Sequence, residues 1–192
     1  MLSFRASALL VLACGLVAQD RIPRFVSSPD VNGDRVVFTW EDDLWLGSLK
    51  GGPARRITTH PGVETAARFS PDGRWIAFTG QYDGGNQVYV VPAEGGAPKR
   101  LTWGGGATVQ GWTPEGNQVL FKTVADFDRR PVERFFTVDL EGHQPEALPI
   151  PRGTAGTLSP DGQRFAYNAK GRAEYYWKRY KGGDHPDLWL AD

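Results

Sequence analysis

The residues of this chain whose types could do chemistry are three histidines, a run of acids, a glycine-rich loop, two recurring serines and one cysteine. His60, His143 and His185 are each flanked by turn-forming residues, and none is closely spaced with another His or a Cys. A zinc site needs that convergence, so each reads as a solvated loop residue. Glu41, Asp42 and Asp43 carry the charge for calcium but lack the periodic glycine and distal glutamate of a calcium loop; they read as a polar hairpin connection. Gly106 and Gly111 have phosphate-loop spacing, yet Trp112 stands where the lysine belongs and no helix is expected after it. That stretch, with Gly104 and Gly105, reads as a connecting loop. No Gly-x-Ser-x-Gly elbow occurs, and Ser70 and Ser159 each precede Pro-Asp-Gly, which makes them turn residues. The chain is therefore expected to hold no catalytic, cofactor-binding or metal-binding residue and to need no cofactor, with its substrate-binding residues unassigned.

Charge narrows the partners. Lys and Arg total 22 against 22 Asp and Glu, so there is no net field to hold nucleic acid or an anionic membrane. The aromatic and basic run Glu174-Tyr175-Tyr176-Trp177-Lys178-Arg179-Tyr180 has the residues of a single-strand platform. With zero net charge it reads instead as cover for the edge of a sheet.

At the N-terminus, Arg5 precedes the apolar run from Ala8 to Ala13. This has the form of an export signal and is shorter than the roughly 20 apolar residues of a membrane-spanning helix. Residues 1–18 are assigned as signal peptide, with Ala18 before Gln19 as the cleavage position, and residues 19–192 as the mature chain. Localisation is then periplasmic or at the cell surface, with lipidation at Cys14 as a second route and a cytoplasmic location if the segment is not a working signal. Cys14 leaves with the signal in the first case, so no thiol remains for a disulfide or a nucleophile.

The elements that position these residues follow from a repeat. Ser28-Pro29-Asp30 leading to Asn32-Gly33, Ser70-Pro71-Asp72-Gly73, Thr113-Pro114-Glu115-Gly116 and Ser159-Pro160-Asp161-Gly162 form one recurring turn, whose glycines lie 40, 43 and 46 residues apart. Propeller blades recur at about 40 to 50 residues. Proline presets φ, the acid or amide bonds the local backbone, and glycine takes the positive φ of a tight turn. Three and five residues past each glycine stand Val36 and Phe38, Ile76 and Phe78, Val119 and Phe121, Phe165 and Tyr167. The position between each pair is apolar too, which predicts strands buried on both faces. Further strands are expected at Leu44-Trp45, Val88-Tyr89, Phe135-Phe136 and Leu188-Trp189, then glycine turns at Gly51, Gly95 and Gly142, then Ile57, Leu101 and Leu148. The predicted fold is an all-β propeller of four-stranded antiparallel blades over about 24–58, 64–102, 108–149 and 154–192. The fourth is cut off partway, and six blades are expected in the full domain. Two connections, Thr123 to Arg134 and Lys170 to Pro186, are longer than the rest and read as edge loops.

In detail the sequence resembles a known family. The stretches DDLWLGSLKGGPARRITTHPG from Asp42, FSPDGRWIAFTGQYDGGNQVYVVPAEGGAPKRLT from Phe69 and WKRYKGGDHPDLWLAD from Trp177 are similar to the N-terminal six-bladed propeller of tricorn-type serine proteases. The resemblance implies a larger serine protease in which this part gates or guides peptides and cleaves nothing; that it is exported is read from the N-terminal segment alone. Its partners would be peptide or unfolded polypeptide substrates, later domains of the same chain and further copies of itself, with no nucleic acid. Two alternatives share the repeat: a non-enzymatic periplasmic binding propeller of the Tol type, and the propeller lid of a prolyl-oligopeptidase-type enzyme.

Overall fold

The computed structural model describes residues 26–127, 130–170 and 187–192. These residues form four antiparallel sheets in chain order and no helix. Blade one holds β1 (Ser27–Asn32), β2 (Arg35–Trp40), β3 (Asp43–Ser48) and β4 (Arg55–Arg56). Blade two holds β5 (Glu64–Phe69), β6 (Trp75–Gly80), β7 (Gln87–Pro92) and β8 (Lys99–Arg100). Blade three holds β9 (Thr108–Trp112), β10 (Gln118–Phe127), β11 (Arg130–Asp139) and β12 (Glu146–Ala147). Of blade four, β13 (Ala155–Leu158), β14 (Phe165–Asn168) and β15 (Leu188–Ala191) are described. The first strands β1, β5, β9 and β13 pack against one another in sequence, the arrangement of blades around a propeller axis.

Each core lies between blades, because a blade buries its faces on its neighbours. Val37, Leu44 and Ile57 of blade one meet Phe78, Tyr89 and Val91 of blade two. The opposite face of blade two, through Ala77, Val88 and Val90, meets Val119, Phe121 and Val138 of blade three. Leu120 and Phe135 then meet Phe165 of blade four. Burial on both faces is complete in blade two, where Ile76 to Gly80 are all buried. In blade one the same strand alternates between buried and half-buried residues. The repeat gives every blade's second strand a run of three apolar or aromatic residues, but among the described residues blade one has a neighbour on one side only.

Two expectations need correction. Ser28-Pro29-Asp30 is not a turn: it lies inside β1, and the turn begins only at Gly33. Counting back from the glycines, Asp30 occupies the place of Ser70, and it accepts a hydrogen bond from the Phe69 N–H at 2.7 Å. Thr123 to Arg134 is not an edge loop either. β10 and β11 stay paired from Gln118↔Asp139 out to Phe127↔Arg130, while β9 leaves off at Lys122. The result is a two-stranded ribbon extending past its own sheet. Residues 1–25, which include the export segment and Cys14, lie outside the described residues, as do residues 171–186, with His185 and the aromatic-basic run.

Candidate functional site at the blade junctions

The turns of the repeat line one end of the blades and lock neighbours together. Ser70 donates to Asp72 at 2.6 Å and accepts from the Trp75 N–H at 2.9 Å. With Arg74 also bonded to it, the Asp72 carboxyl falls to about 2. Ser159 and Asp161 repeat the pairing, and the Asp161 carboxyl is lowered for the same first reason, the serine hydroxyl. These serines are thus engaged as turn residues. A Cβ at Gly116 would sit 3.2 Å from Pro71 of the preceding blade, and one at Gly162 3.2 Å from Pro114, so each proline rests on the next blade's glycine. Blade one uses side chains instead: Asn32 donates to the Pro71 carbonyl at 3.3 Å and Arg35 to the Gly73 carbonyl at 2.7 Å.

The opposite ends of the strands carry the buried polar chemistry. At the junction of blades one and two, Glu64 is fully buried. Its Oε2 accepts from the Thr58 hydroxyl and, at 3.0 Å, from the Leu44 N–H, and its Oε1 accepts from the Tyr82 hydroxyl. Burial pushes the Glu64 carboxyl up, against the pull of these three donors, and nearby Asp43 adds to the rise. Burial and the same carboxylate hold the Tyr82 phenol up, so it stays a donor. His60 stacks on Tyr82 with ring centroids 3.8 Å apart, and its Nδ1 accepts from the Gly62 N–H at 2.9 Å. Of the three adjacent acids, Glu41 and Asp42 form the exposed hairpin turn at positive φ, 49° and 66°. Asp43 does not share that role, being buried at the start of β3 and paired with Arg56 at 2.5 Å.

One junction on, the same threonine position is satisfied differently. Thr102 accepts from the Val88 N–H at 2.9 Å and donates to Gln87 Oε1 at 2.8 Å, so a neutral amide from its own blade stands where Glu64 reaches across. Beside it is a cavity of about 500 Å³ lined by Leu101, Trp103, Gly104, Ala107, Phe121 and Phe136, among others. The glycine run of the sequence forms the rim, and β9 follows it without a helix. Trp103 is 66% exposed, with the Arg100 guanidinium 5.8 Å over its ring. His143 flanks the cavity and bonds Asp139 at 2.6 Å, which raises the imidazole and lowers the carboxyl. Its exposed turn position agrees with the reading from sequence.

Among the described residues no three of His, Cys, Asp or Glu converge as a metal would require. Sequence reasoning missed Glu64, Thr58, Tyr82 and the cavity. The signal available was the threonine that follows Ile57 and Leu101 in two successive blades.

Four successive antiparallel sheets packed face to face define a β-propeller, and the sequence says which kind. Residues 23–192 match the family described as the tricorn protease N-terminal beta propeller domain, and the chain belongs to it. Tricorn protease homolog 1 of Streptomyces coelicolor is 36% identical over 177 residues, covering 91% of this chain and 16% of that protein. The crystal structure of the tricorn protease matches with a TM-score of 0.68 at 28% identity, covering 88% of this chain and 17% of that one. The structure of a putative TolB from Agrobacterium tumefaciens matches with a TM-score of 0.66 at 23% identity over 76% of this chain and 54% of that one, a likeness of fold alone. The chain spans 16% of the length of the curated relative it matches.

Proposed function

We propose that this chain is the N-terminal propeller portion of an exported tricorn-like serine protease, in which it gates or guides peptides and does not cleave them. The observation that carries this is family membership across residues 23–192, together with a relative named as a protease homologue whose length is mostly other sequence. The junction chemistry supports a guiding role. Its serines are committed to turns and its buried carboxylate to three donors, while the hydroxyls of Thr102 and Thr123 and the ring of His143 beside the cavity between blades two and three are held by Gln87, the Gly105 carbonyl and Asp139. Export rests on the segment from Arg5 to Ala18.

Reading the gene past the codon for Asp192 tests the protease. Continuation through further blades, a PDZ-like segment and an α/β protease core is expected, and peptide hydrolysis by the full-length product should be blocked by a serine-reactive inhibitor. Closure of the ring followed by a stop codon would leave a binding propeller. Mass spectrometry of the mature N-terminus tests export: a start at Gln19 is expected, and an intact Met1 in the cell's cytoplasmic fraction would refute it.

A further inference from the structure

The first two junctions occupy the same space differently. Counted from the turn glycines and from strand pairing, Glu64 corresponds to Ala107, Gly80 to Thr123 and Tyr82 to Ala125. Counted from the shared threonine, His60 corresponds to Gly104. At the first junction Tyr82 comes back from the short loop after β6 and lies over Tyr89 and Phe78, with centroids 4.4 and 6.1 Å away. At the second, β10 runs straight on as the ribbon, Ala125 pairs with Val132, and among the described residues no ring returns over the floor. The floor is nonetheless conserved in kind: Phe121 and Phe136 stack with centroids 5.8 Å apart, as Phe78 and Tyr89 do at 5.6 Å. Among the described residues, Glu64 and His60 have become alanine and glycine and the returning ring has no counterpart, while Thr123, bonded to the Gly105 carbonyl, stands where the first junction has Gly80.

We infer that the cavity between blades two and three binds an aromatic side chain, Phe or Tyr, presented by an extended polypeptide segment. The choice of a polypeptide as the carrier rests on the peptide-handling reading above; the choice of an aromatic ring rests on Tyr82 filling the equivalent place. A cavity of about 150 Å³ takes a benzene ring, so the cavity of about 500 Å³ has room for a ring and the backbone that carries it. Trp103, held between Arg100 and the turn at Gly142, supplies an exposed indole wall of the kind on which rings pack edge-on or offset. The wall residue that replaces Glu64 is alanine, so no buried acceptor demands a hydroxyl and Phe and Tyr should bind alike.

The test is calorimetric titration of the purified full-length protein with three pentapeptides, Gly-Ser-Xaa-Ser-Gly with Xaa Tyr, Phe or Ala, and with N-acetyltyrosinamide. The Tyr and Phe peptides should bind about tenfold or more tightly than the Ala peptide. Trp103→Ala, at an exposed position, should erase most of that preference, and Thr123→Tyr, which fills the space from the ribbon, should do so without removing the indole. Circular dichroism melts establish that both variants fold. Equal affinity for the three peptides, an unchanged preference in both variants, or binding of N-acetyltyrosinamide with none of the peptides would each overturn the inference. Because the readout is binding and not cleavage, a gene product without protease activity leaves this result standing on its own.

Discussion

At the first junction the threonine that ends the blade meets a carboxylate from the next blade; at the second it meets an amide from its own. The backbone need is the same in both places, since Leu44 and Val88 each present a buried N–H to the threonine oxygen. What differs is the consequence. Gln87 bonds Thr102 of its own blade and the Gly104 carbonyl of the connection, beside the cavity, whereas Glu64 ties two blades together and bonds Tyr82 over the equivalent place. The first junction is therefore bridged by a group that can titrate, and the threonine of the second is held by one that cannot.

Truncating the floors of the two junctions should give the largest separation. Phe78→Ala should cost about 3 to 5 kcal/mol in urea unfolding, the range for a fully buried Phe. Phe121→Ala should cost measurably less, because one side of its ring already borders a cavity. Similar losses at both sites would mean that the cavity closes in solution. Tyr82→Phe comes next: removing the hydroxyl takes a donor from a buried carboxylate, at about 1 to 3 kcal/mol, whereas no change would show that the Glu64 network is dispensable.

Glu64→Gln sharpens the comparison by making the first junction resemble the second. The folded carboxyl titrates above its ordinary value of 4.5, so the protonated form favours folding. The wild type should lose stability as pH rises from that value through the raised one, a limb that the Gln variant should lack. Melting both proteins from pH 4 to 8 should therefore show the difference shifting steadily toward the variant; parallel curves would remove the protonation coupling. The smallest effect is expected at Asp72, a solvent-facing turn carboxylate. Its depressed value gives stability that is present at neutral pH and lost as pH falls from 3.8 through about 2, and Asp72→Asn should blunt that acid limb slightly. An Asp161→Asn variant should behave alike, and a large loss from either would show that the turns matter more than the junctions.

The blade repeat was legible because its turn chemistry is local: proline, acid and glycine act within four residues, and strand alternation follows at once. The same locality misled at Ser28-Pro29-Asp30, where the motif letters fall inside a strand and the true turn is Gly33-Asp34. The ribbon from Thr123 to Arg134 was missed because Arg129, Arg130 and Pro131 look like loop residues, while strand pairing between Val124 and Glu133 is set by the partner and not by composition. Glu64, Thr58 and Tyr82 were illegible as a unit. They come from three different segments, and only folding two blades together makes them neighbours. The cavity at the second junction is further from sequence still, since it follows from Gly104 and Ala107 standing where the first junction has His60 and Glu64.

The turn contacts described earlier also bear on how the chain is made. Asp30 waits for the Phe69 N–H, Asn32 for the Pro71 carbonyl and Arg35 for the Gly73 carbonyl, each partner 38 or 39 residues later. On a ribosome, blade one would leave the exit tunnel with these groups unmet and could complete them only when the first strand and turn of blade two followed. Blades two and three in turn each offer a proline to the glycine of the next. Synthesis from the N-terminus would thus assemble the propeller in one direction, each blade acting as the template on which its successor sets.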